Sequence, residues 1–477
     1  MWSRRCGKRI VRCVRHLYFI ALDHRARGAF PPLVVAMASS LSDVTRIVID
    51  NGGHTCKVGF AGEKAPRKLM HNGMVKSKAE HKVFVADQLE KCQDFSALQY
   101  RNSLERGCLV NWDTQAEVWA RAFGPDVLKV NPSDCTLMLT EIPMCPAAIQ
   151  DTLDEMIFEH FGFHSYCTRP APALAAVAMA EQMGAIDDQP RPATLVVDAG
   201  YSATHVMPVF GATPINFATR RINVGGKLLT NHLKQVVSYR SYNVMEENHL
   251  INDVKERLCY VSMDFMSELA LTRFKGKKNP LRREFIMPDY VNHFRGRIRD
   301  PNEPTPPAEA AASGGAAGGA KEKESAAAPP SKKQKGGTAA DEQVLKLANE
   351  RICVPEVLFT PSDIGIDQAG VAETIVQSAS ACLPDLREPL YSNIVVTGGS
   401  TRFPNFIDRL QRDLRALVPS ECDIQITHAA DPINAAWRGG SIFAASDLYP
   451  SQVVTRKEYK EEGHSLCRRR FLAQQCG

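Results

Sequence analysis

The stretch from Ile47 to Gly62, IVIDNGGHTCKVGFAG, constrains the fold more than any other part of the chain. A β-branched apolar run ends in Asp50, glycines follow at once, and a second short strand runs from Thr55 to Phe60. This order predicts a β-hairpin with an acid at the end of its first strand. Glycine backbone can approach a phosphate closely, and an Asp at a strand end can hold a metal-bound water. For a single hairpin, plain turn chemistry is the alternative interpretation.

The pattern returns twice further along the chain. LVVDAGY, from Leu195 to Tyr201, again joins an apolar strand, an Asp and a glycine turn, and a second strand follows from Thr204 to Val209. A third glycine turn follows the apolar run of IVVTGGS at residues 394–400. Three similar turns far apart in one chain are less expected by chance than one, so the recurrence favours a shared function for them.

Strands alternate with helical segments between the first two turns. CTLMLT at residues 135–140 predicts a buried strand, and IQDTLDEMIFEHF at residues 149–161 places apolar residues at helical spacing. Such alternation predicts an α/β domain. The 477 residues are 44% hydrophobic and 23% charged, which allows two or three units that each bury a core.

Composition argues against several functional classes. A net charge of +5 is small for 477 residues, so a mainly electrostatic nucleic-acid binder is disfavoured. The 14 cysteines form no CxxC pair and no Cys/His ligand spacing, which predicts reduced thiols in a cytosolic or nuclear protein. No run of about twenty apolar residues occurs, so we expect no membrane-spanning helix.

A basic N-terminal extension, residues 1–43, differs from the rest of the chain. Its first 36 residues carry several arginines before an apolar run, and no acid precedes Asp23. This composition is typical of an organelle transit peptide or a weak secretory signal. Alternatively, Met37 is the working start and the preceding stretch has no fold.

Residues 301–340 form a second unusual segment. They are rich in Ala, Gly, Pro and Lys and contain no large apolar residue, which predicts a disordered insertion in a surface loop. Lys332, Lys333 and Lys335 within it form either a nuclear import signal or a solvated charge cluster that no receptor recognises.

The order of these motifs resembles actin and the actin-related proteins. The matching blocks are DNGGHTCKVGFAGEKAPR, NWDTQAEVW, TEIPMCP, DAGYSATHVMP, VKERLCYVSMDF, PEVLFTPSDIGI, VTGGSTRFPNF and WRGGSIFAA. The resemblance implies an α/β actin-like fold, in which two ribonuclease-H-like lobes surround a nucleotide cleft. Lobe I would comprise residues 44–179, completed by residues 436–471, and lobe II residues 180–435.

The same resemblance implies a set of nucleotide-binding residues and ATP or ADP with magnesium as a structural cofactor. Two acids match those that hold the hydrated magnesium, a lysine matches the phosphate-facing lysine, a Lys-Glu pair flanks the purine, and glycines form the turns. The two acids are Asp50 and Asp198, and the phosphate-facing lysine is Lys57. The purine-flanking pair is Lys255 and Glu256, and the turn glycines are Gly52, Gly200, Gly398 and Gly399. For the Lys-Glu pair, an exposed helix face is the alternative.

Four departures from the family pattern bear on activity. Gly53 replaces a phosphate-binding Ser, His54 replaces a Gly, Tyr201-Ser202 replaces Asp-Gly, and Ala171 replaces the water-positioning Gln. An alanine side chain neither donates nor accepts a hydrogen bond, so we expect negligible ATPase activity and no catalytic residue. Nucleotide binding stays open, because the acids and the lysine remain while both turns are crowded. His54 is either a cationic phosphate contact or a bystander.

Within the family, the blocks at residues 221–234, 244–265 and 453–467 resemble one nuclear group. Its members are subunits of SWR-type chromatin remodelling complexes, which exchange an ordinary core histone for its Z-type variant. The group member docks with a zinc-HIT subunit onto the motor ATPase and helps couple that motor to the nucleosome. The resemblance therefore implies a non-hydrolysing scaffold, nuclear with some cytoplasmic, that meets histones and DNA through the complex and no membrane.

Two further expectations concern the surface. LMHNGMVKSKAEHKV, residues 69–83, is shorter and more basic than the assembly loop of actin, so we expect no self-polymerisation. Residues 275–278 (KGKK) and 468–470 (RRR) either meet DNA or an acidic partner, or form a solvated face. The alternative functions are an active actin-fold ATPase or sugar kinase and a cytoskeletal actin-related protein.

Overall fold

The computed structural model describes residues 44–473 except 97, 183–192, 212, 275–278, 291–292 and 300–342. The N-terminal extension, the insertion at residues 301–340 and the basic patch at residues 275–278 therefore lie outside the described residues. None of the described helices is long and apolar enough to cross a membrane.

Twenty strands and thirteen α-helices make up the described part of the chain. The strands are β1 Thr45–Asn51, β2 Thr55–Phe60, β3 Lys68–His71, β4 Gly73–Ser77, β5 Lys82–Val85, β6 Leu98–Asn102, β7 Leu104–Glu105, β8 Cys108–Leu109, β9 Cys135–Glu141, β10 Ser165–Pro170, β11 Ala193–Ala199, β12 Thr204–Phe210, β13 Thr213–Pro214, β14 Arg220–Ile222, β15 Arg283–Ile286, β16 Arg297–Ile298, β17 Val344–Leu347, β18 Ile394–Thr397, β19 Ile426–His428 and β20 Val454–Thr455. The helices are α1 Trp112–Phe123, α2 Ala147–Glu155, α3 Ala171–Gln182, α4 Gly226–Arg240, α5 Asn248–Leu258, α6 Phe265–Leu271, α7 Glu350–Glu356, α8 Val371–Ala381, α9 Pro384–Tyr391, α10 Phe406–Leu417, α11 Ala435–Ala445, α12 Arg456–Glu462 and α13 His464–Ala473.

Two main sheets repeat one arrangement. In the first, β1 pairs with β2 as an antiparallel hairpin and lies parallel to β9, which is parallel to β10. In the second, β11 pairs with β12 as a hairpin and lies parallel to β18, which is parallel to β19. Strand β20, near the C-terminus, joins the first sheet beside β10. The two-lobed α/β actin-like fold is thereby confirmed.

The central strands carry buried apolar runs, residues 47–49 in β1 and 195–197 in β11, as is typical of a sheet with parallel pairs that is covered on both faces. All seven residues of β9 are buried, as the apolar run at residues 135–140 predicts. The helical segment predicted at residues 149–161 is α2 followed by a π-helical turn, Met156–His160, in which the Phe161 N–H donates to the Met156 carbonyl. The wider turn changes the helical spacing that the sequence pattern indicates.

Helices α3 and α11 cross closely at the base of the space between the two sheets. A Cβ added at Gly439 would overlap the carbonyl of Leu174, so this crossing requires a glycine. The Trp437 indole is buried and donates to the Val48 carbonyl at 3.0 Å, which ties α11 to β1. Since α3 also packs against β11, the two helices fix how the sheets sit relative to each other.

The stretch at residues 69–83 contains part of a small antiparallel sheet. Strand β4 pairs with β5 and β6, and only residues 78–81 connect β4 to β5. The connection is therefore a short hairpin turn in this chain.

Eleven described cysteines are free thiols. Burial raises the pKa of Cys167 and of Cys353 to about 11, so these thiols stay protonated at neutral pH.

Candidate functional site

A cleft of about 660 Å³ lies between the two main sheets. The hairpin turns of both sheets and the turn after β18 open into it, because the strands that carry them end at the same side. Every residue of the predicted nucleotide-binding set lines this cleft, namely Asp50, Gly52, Lys57, Asp198, Gly200, Lys255, Glu256, Gly398 and Gly399.

Asp50 is held in place from two sides. The antiparallel register of the first hairpin places it opposite Lys57, whose ammonium lies 2.7 Å from the Asp50 carboxylate. The Thr140 hydroxyl donates to the other carboxylate oxygen at 2.7 Å and accepts from the Asn51 N–H at 3.0 Å. Both members of the ion pair are buried, so neither can be removed without leaving an uncompensated charge.

Thr140 was not identified from the sequence. It lies near the end of β9, which is parallel to β1, and a polar residue at the end of a buried strand is the signal that points to it.

Asp198 lies at the corresponding position of the second hairpin and faces the cleft. Among the described residues, none donates a hydrogen bond to its carboxylate. Burial, together with the negative charge of Asp50, raises the pKa of Asp198 to about 6. Two facing carboxylates, one of them free of donors, suit a hydrated divalent cation, so the donor set fits magnesium.

His205 occupies the place in the second hairpin that Lys57 occupies in the first. It lies opposite Asp198 in the register and lines the cleft, and sequence reasoning missed it. Burial, with a contribution from the positive charge of Arg221, lowers the pKa of His205 to about 3, so the ring is neutral. His205 could have been identified from the sequence by aligning the second strands of the two hairpins, because it then falls at the position of Lys57.

Lys255 and Glu256 differ in their surroundings. Lys255 is 4% exposed, and its ammonium donates to Asn252 Oδ1 at 2.8 Å, Thr230 Oγ1 at 2.9 Å and the Gly226 carbonyl at 3.2 Å. Glu256 is exposed and accepts from the Asn252 amide at 2.8 Å. An exposed helix face therefore describes Glu256, whereas the Lys255 ammonium is committed to holding α4 and α5 together.

The glycines of the third turn have separate roles. Gly398 has φ +95°, and a Cβ there would overlap the carbonyl of Ala199, so the turn can approach β11 only with glycine. At Gly399 a Cβ would meet nothing within 4 Å, which leaves this side of the cleft open.

The residues that depart from the family pattern also line the cleft. Ala171, the first residue of α3, presents a methyl group to the cleft wall. The rings of His54 and Tyr201, on the two hairpin turns, have centroids 4.6 Å apart. Surrounding protein atoms, followed by the charges of His71, Lys255 and Lys57, lower the pKa of His54 to about 3. A neutral His54 at neutral pH disfavours the cationic phosphate contact.

The basic run at residues 468–470 is paired within its own lobe. Arg468 Nε donates to Asp151 Oδ1 at 2.9 Å, Arg470 pairs with Glu458 at 2.9 Å, and Arg469 pairs with Glu462. These arginines are therefore largely neutralised by neighbouring acids.

A repeated sheet with an acidic hairpin in each half, closing on a cleft with glycine turns, defines an actin-like class of protein. The family model described as Actin matches residues 41–472. The chain therefore belongs to the actin family.

Within the family, the chain is similar to proteins named Actin-related protein 6, the group indicated by the blocks at residues 221–234, 244–265 and 453–467. It is 41% identical to that of Oryza sativa subsp. indica over 427 residues, which are 89% of this chain and 98% of the relative. It is 38% identical to the Arabidopsis thaliana protein over 89% of this chain and 99% of the relative. The Drosophila melanogaster protein is 34% identical over 87% of this chain and 97% of the relative.

Proposed function

We propose that this protein is a non-hydrolysing scaffold subunit of a nuclear SWR-type chromatin remodelling complex that deposits the Z-type histone variant into nucleosomes. The observation that carries the proposal is the 34–41% identity to relatives named Actin-related protein 6 along at least 87% of this chain. In this role the protein contacts the motor ATPase and the zinc-HIT subunit, and it reaches histones and DNA through the complex. We place it in the nucleus, with some in the cytoplasm.

The cleft would hold ATP or ADP with magnesium as a structural cofactor. Asp50 and Asp198 would face the hydrated cation, Lys57 the phosphates, and the open side at Gly399 and Glu256 the nucleoside. When bound, the nucleotide with its metal supplies charge neutralisation between the two carboxylates. The chain's own contribution is to orient Asp50 through Lys57 and Thr140, which keeps one carboxylate fixed whether or not a cation is present.

Ala171 supports the absence of hydrolysis. A water attacking a phosphate must be positioned by a hydrogen bond, and a methyl group makes none. A phosphate-release assay on the purified chain tests this, with Asp198→Ala as the control. We expect the same background rate from both proteins. Brisk release that Asp198→Ala abolishes would instead support an actin-fold ATPase.

The short β4–β5 turn supports a protein that does not polymerise. Residues 78–81 offer a four-residue turn where a filament subunit needs a long loop to reach its neighbour. In a high-speed pelleting assay with magnesium and salt, we expect the purified chain to stay in the supernatant. Pelleting, or co-pelleting with actin filaments, would support the cytoskeletal alternative.

Affinity purification from nuclear extract, followed by mass spectrometry, tests membership of the complex. We expect co-purification of the motor ATPase, the zinc-HIT subunit and the Z-type histone variant at stoichiometric levels that survive a salt wash. Mock purification from untagged cells is the control. Recovery of actin and cytoskeletal factors without remodeller subunits would contradict the proposal.

A further inference from the structure

The tips of the two hairpins, one from each lobe, touch each other. A Cβ added at Gly53 would overlap the Ser202 hydroxyl and lie 3.4 Å from Ser202 Cβ. A Cβ at Gly107, on the β7–β8 turn of lobe I, would lie 3.5 Å from the same Ser202 Cβ. Ser202 therefore fits against bare backbone of lobe I, and a side chain at position 53 would have to displace the Ser202 hydroxyl.

Two aromatic rings extend this contact. His54 and Tyr201 stack with an interplanar angle of 33°, and His71 packs edge-on against His54 with centroids 5.9 Å apart. On the far side, a Cβ at Gly226 would lie 3.2 Å from Tyr201 Cδ2, so the start of α4 confines the Tyr201 ring. Because His54 is neutral, the stack carries no charge that burial would penalise.

The same tips carry free hydrogen-bond donors. In the part of the chain that the structure describes, no residue accepts from the backbone N–H of Gly53, His54, Tyr201 or Ser202. Rows of free N–H groups suit an anion. An anion gripped by both tips, however, needs a hydrogen bond of about 2.9 Å on each side plus its own width. Tips in van der Waals contact leave no such space.

We propose that the cleft takes a nucleoside diphosphate in preference to a triphosphate, because Tyr201 and Ser202 close the hairpin tips where the terminal phosphate would sit. The inference rests on the nucleotide site proposed above, which places the nucleoside near Gly399 and the phosphate chain toward the hairpins. The terminal phosphate of a nucleoside triphosphate is then the group that meets the closed tips. A triphosphate binds only after the His54–Tyr201 stack and the Gly53–Ser202 contact separate, and that separation lowers its affinity.

Calorimetric titration of the purified full chain tests the proposal, with Mg²⁺ present and ADP and a non-hydrolysable ATP analogue as ligands. For the wild type we expect at least about tenfold tighter binding of ADP. Combining Tyr201→Gly with Ser202→Gly opens the tips and reduces this preference to about twofold or less. Tyr201→Phe keeps the ring and the preference. Tyr239→Ala, which removes a tyrosine that is 92% exposed, is the matched control and changes neither affinity.

His54→Gly opens the tips from lobe I, and it replaces the double variant if that protein does not fold. Melting temperatures without nucleotide establish folding for each variant. Equal affinity of the wild type for both ligands, or a preference that survives opening of the tips, overturns this inference and leaves the nucleotide site standing. If neither ligand binds, the nucleotide site itself is wrong. Membership of the remodelling complex is measured separately, in extracts, and none of these outcomes alters it.

Discussion

Asp198 faces Asp50 across the cleft, and both carboxylates line it. The pKa of Asp198 rises to about 6, above its value of 3.8 in an unfolded chain. The folded state therefore binds a proton more tightly than the unfolded state does. Stability is consequently lost as the pH rises from about 4 to about 6. The ionised carboxylate costs folding energy that a bound cation would recover.

We predict that Asp198→Asn stabilises the metal-free protein by about 1–3 kcal/mol at pH 7.5, because it removes the repelled charge. The gain should vanish near pH 4, where the carboxyl is already protonated. Thermal unfolding in EDTA at both pH values measures the difference. Asp447→Asn, at an exposed acid outside the cleft, is the control and should change little. A variant less stable than the wild type at pH 7.5 would show that Asp198 has a structural partner.

Gly53 and Ser202 form a matched pair at the hairpin tips. We predict that Gly53→Ser destabilises the protein by about 1–3 kcal/mol, because the added side chain overlaps the Ser202 hydroxyl. Adding Ser202→Gly should restore most of the loss, since the two residues fill the same space. Urea unfolding of both single variants and the double variant gives the coupling energy directly. Additive effects of the two substitutions would mean that the tips do not touch in solution.

At the scale of elements, helix α13 closes the side of lobe I. Leu466, Cys467 and Phe471 are buried in the lobe I core. Near its start, His464 Nδ1 lies 3.1 Å from Asp154 on α2, and the Tyr166 hydroxyl also donates to this buried carboxylate. Burial raises the pKa of Asp154 to about 7, so the ionised form depends on these donors.

We predict that His464→Ala destabilises the protein by about 1–3 kcal/mol, because the buried Asp154 carboxylate loses a hydrogen-bond donor. Hydrogen exchange should then speed up along α13 and α2 while lobe II is unchanged. Glu461→Gln, at an exposed acid on the neighbouring helix, controls for the loss of a polar group at this end of the lobe. If hydrogen exchange became faster across both lobes to the same extent, the His464–Asp154 contact would not be a local stabilising interaction of lobe I.

For the whole molecule, several contacts between described residues bridge the two lobes beside the cleft, in addition to the Gly53–Ser202 contact. His54 stacks on Tyr201, Phe95 stacks on His249 with centroids 4.3 Å apart, and Arg221 donates to the Arg106 carbonyl at 2.6 Å. Each is made by the chain's own groups. From these contacts we predict that the two lobes stay close together without a bound ligand.

We predict that small-angle X-ray scattering gives the same radius of gyration for the wild type with and without ADP and magnesium. The variant that combines Tyr201→Gly with Ser202→Gly should be more expanded without nucleotide, because two bridging contacts are lost. ADP should compact that variant. Because the terminal segments are the same in every sample, they do not affect the differences in radius of gyration. Compaction of the wild type by ADP would mean that its lobes are open before ligand binds.

The sequence by itself determined the features that depend on neighbouring residues. Apolar β-branched runs followed by an acid and glycines are local patterns, and they predicted the hairpins at Asp50 and Asp198 and the turn at Gly398. The order of the motifs predicted the two-lobed fold. Where backbone geometry departs from the ideal period, as in the π-helical turn after α2, local reasoning was less accurate.

Only the tertiary structure decided which distant side chains meet. Thr140 holds Asp50 across a separation of 90 residues, and Ser202 rests against Gly53 from the other lobe. The Lys255 ammonium donates to Thr230 of α4, 25 residues away in the chain. Such contacts depend on the register of parallel strands and on the packing of one lobe against the other. Both are set by the total burial of the core, which no short stretch of sequence encodes.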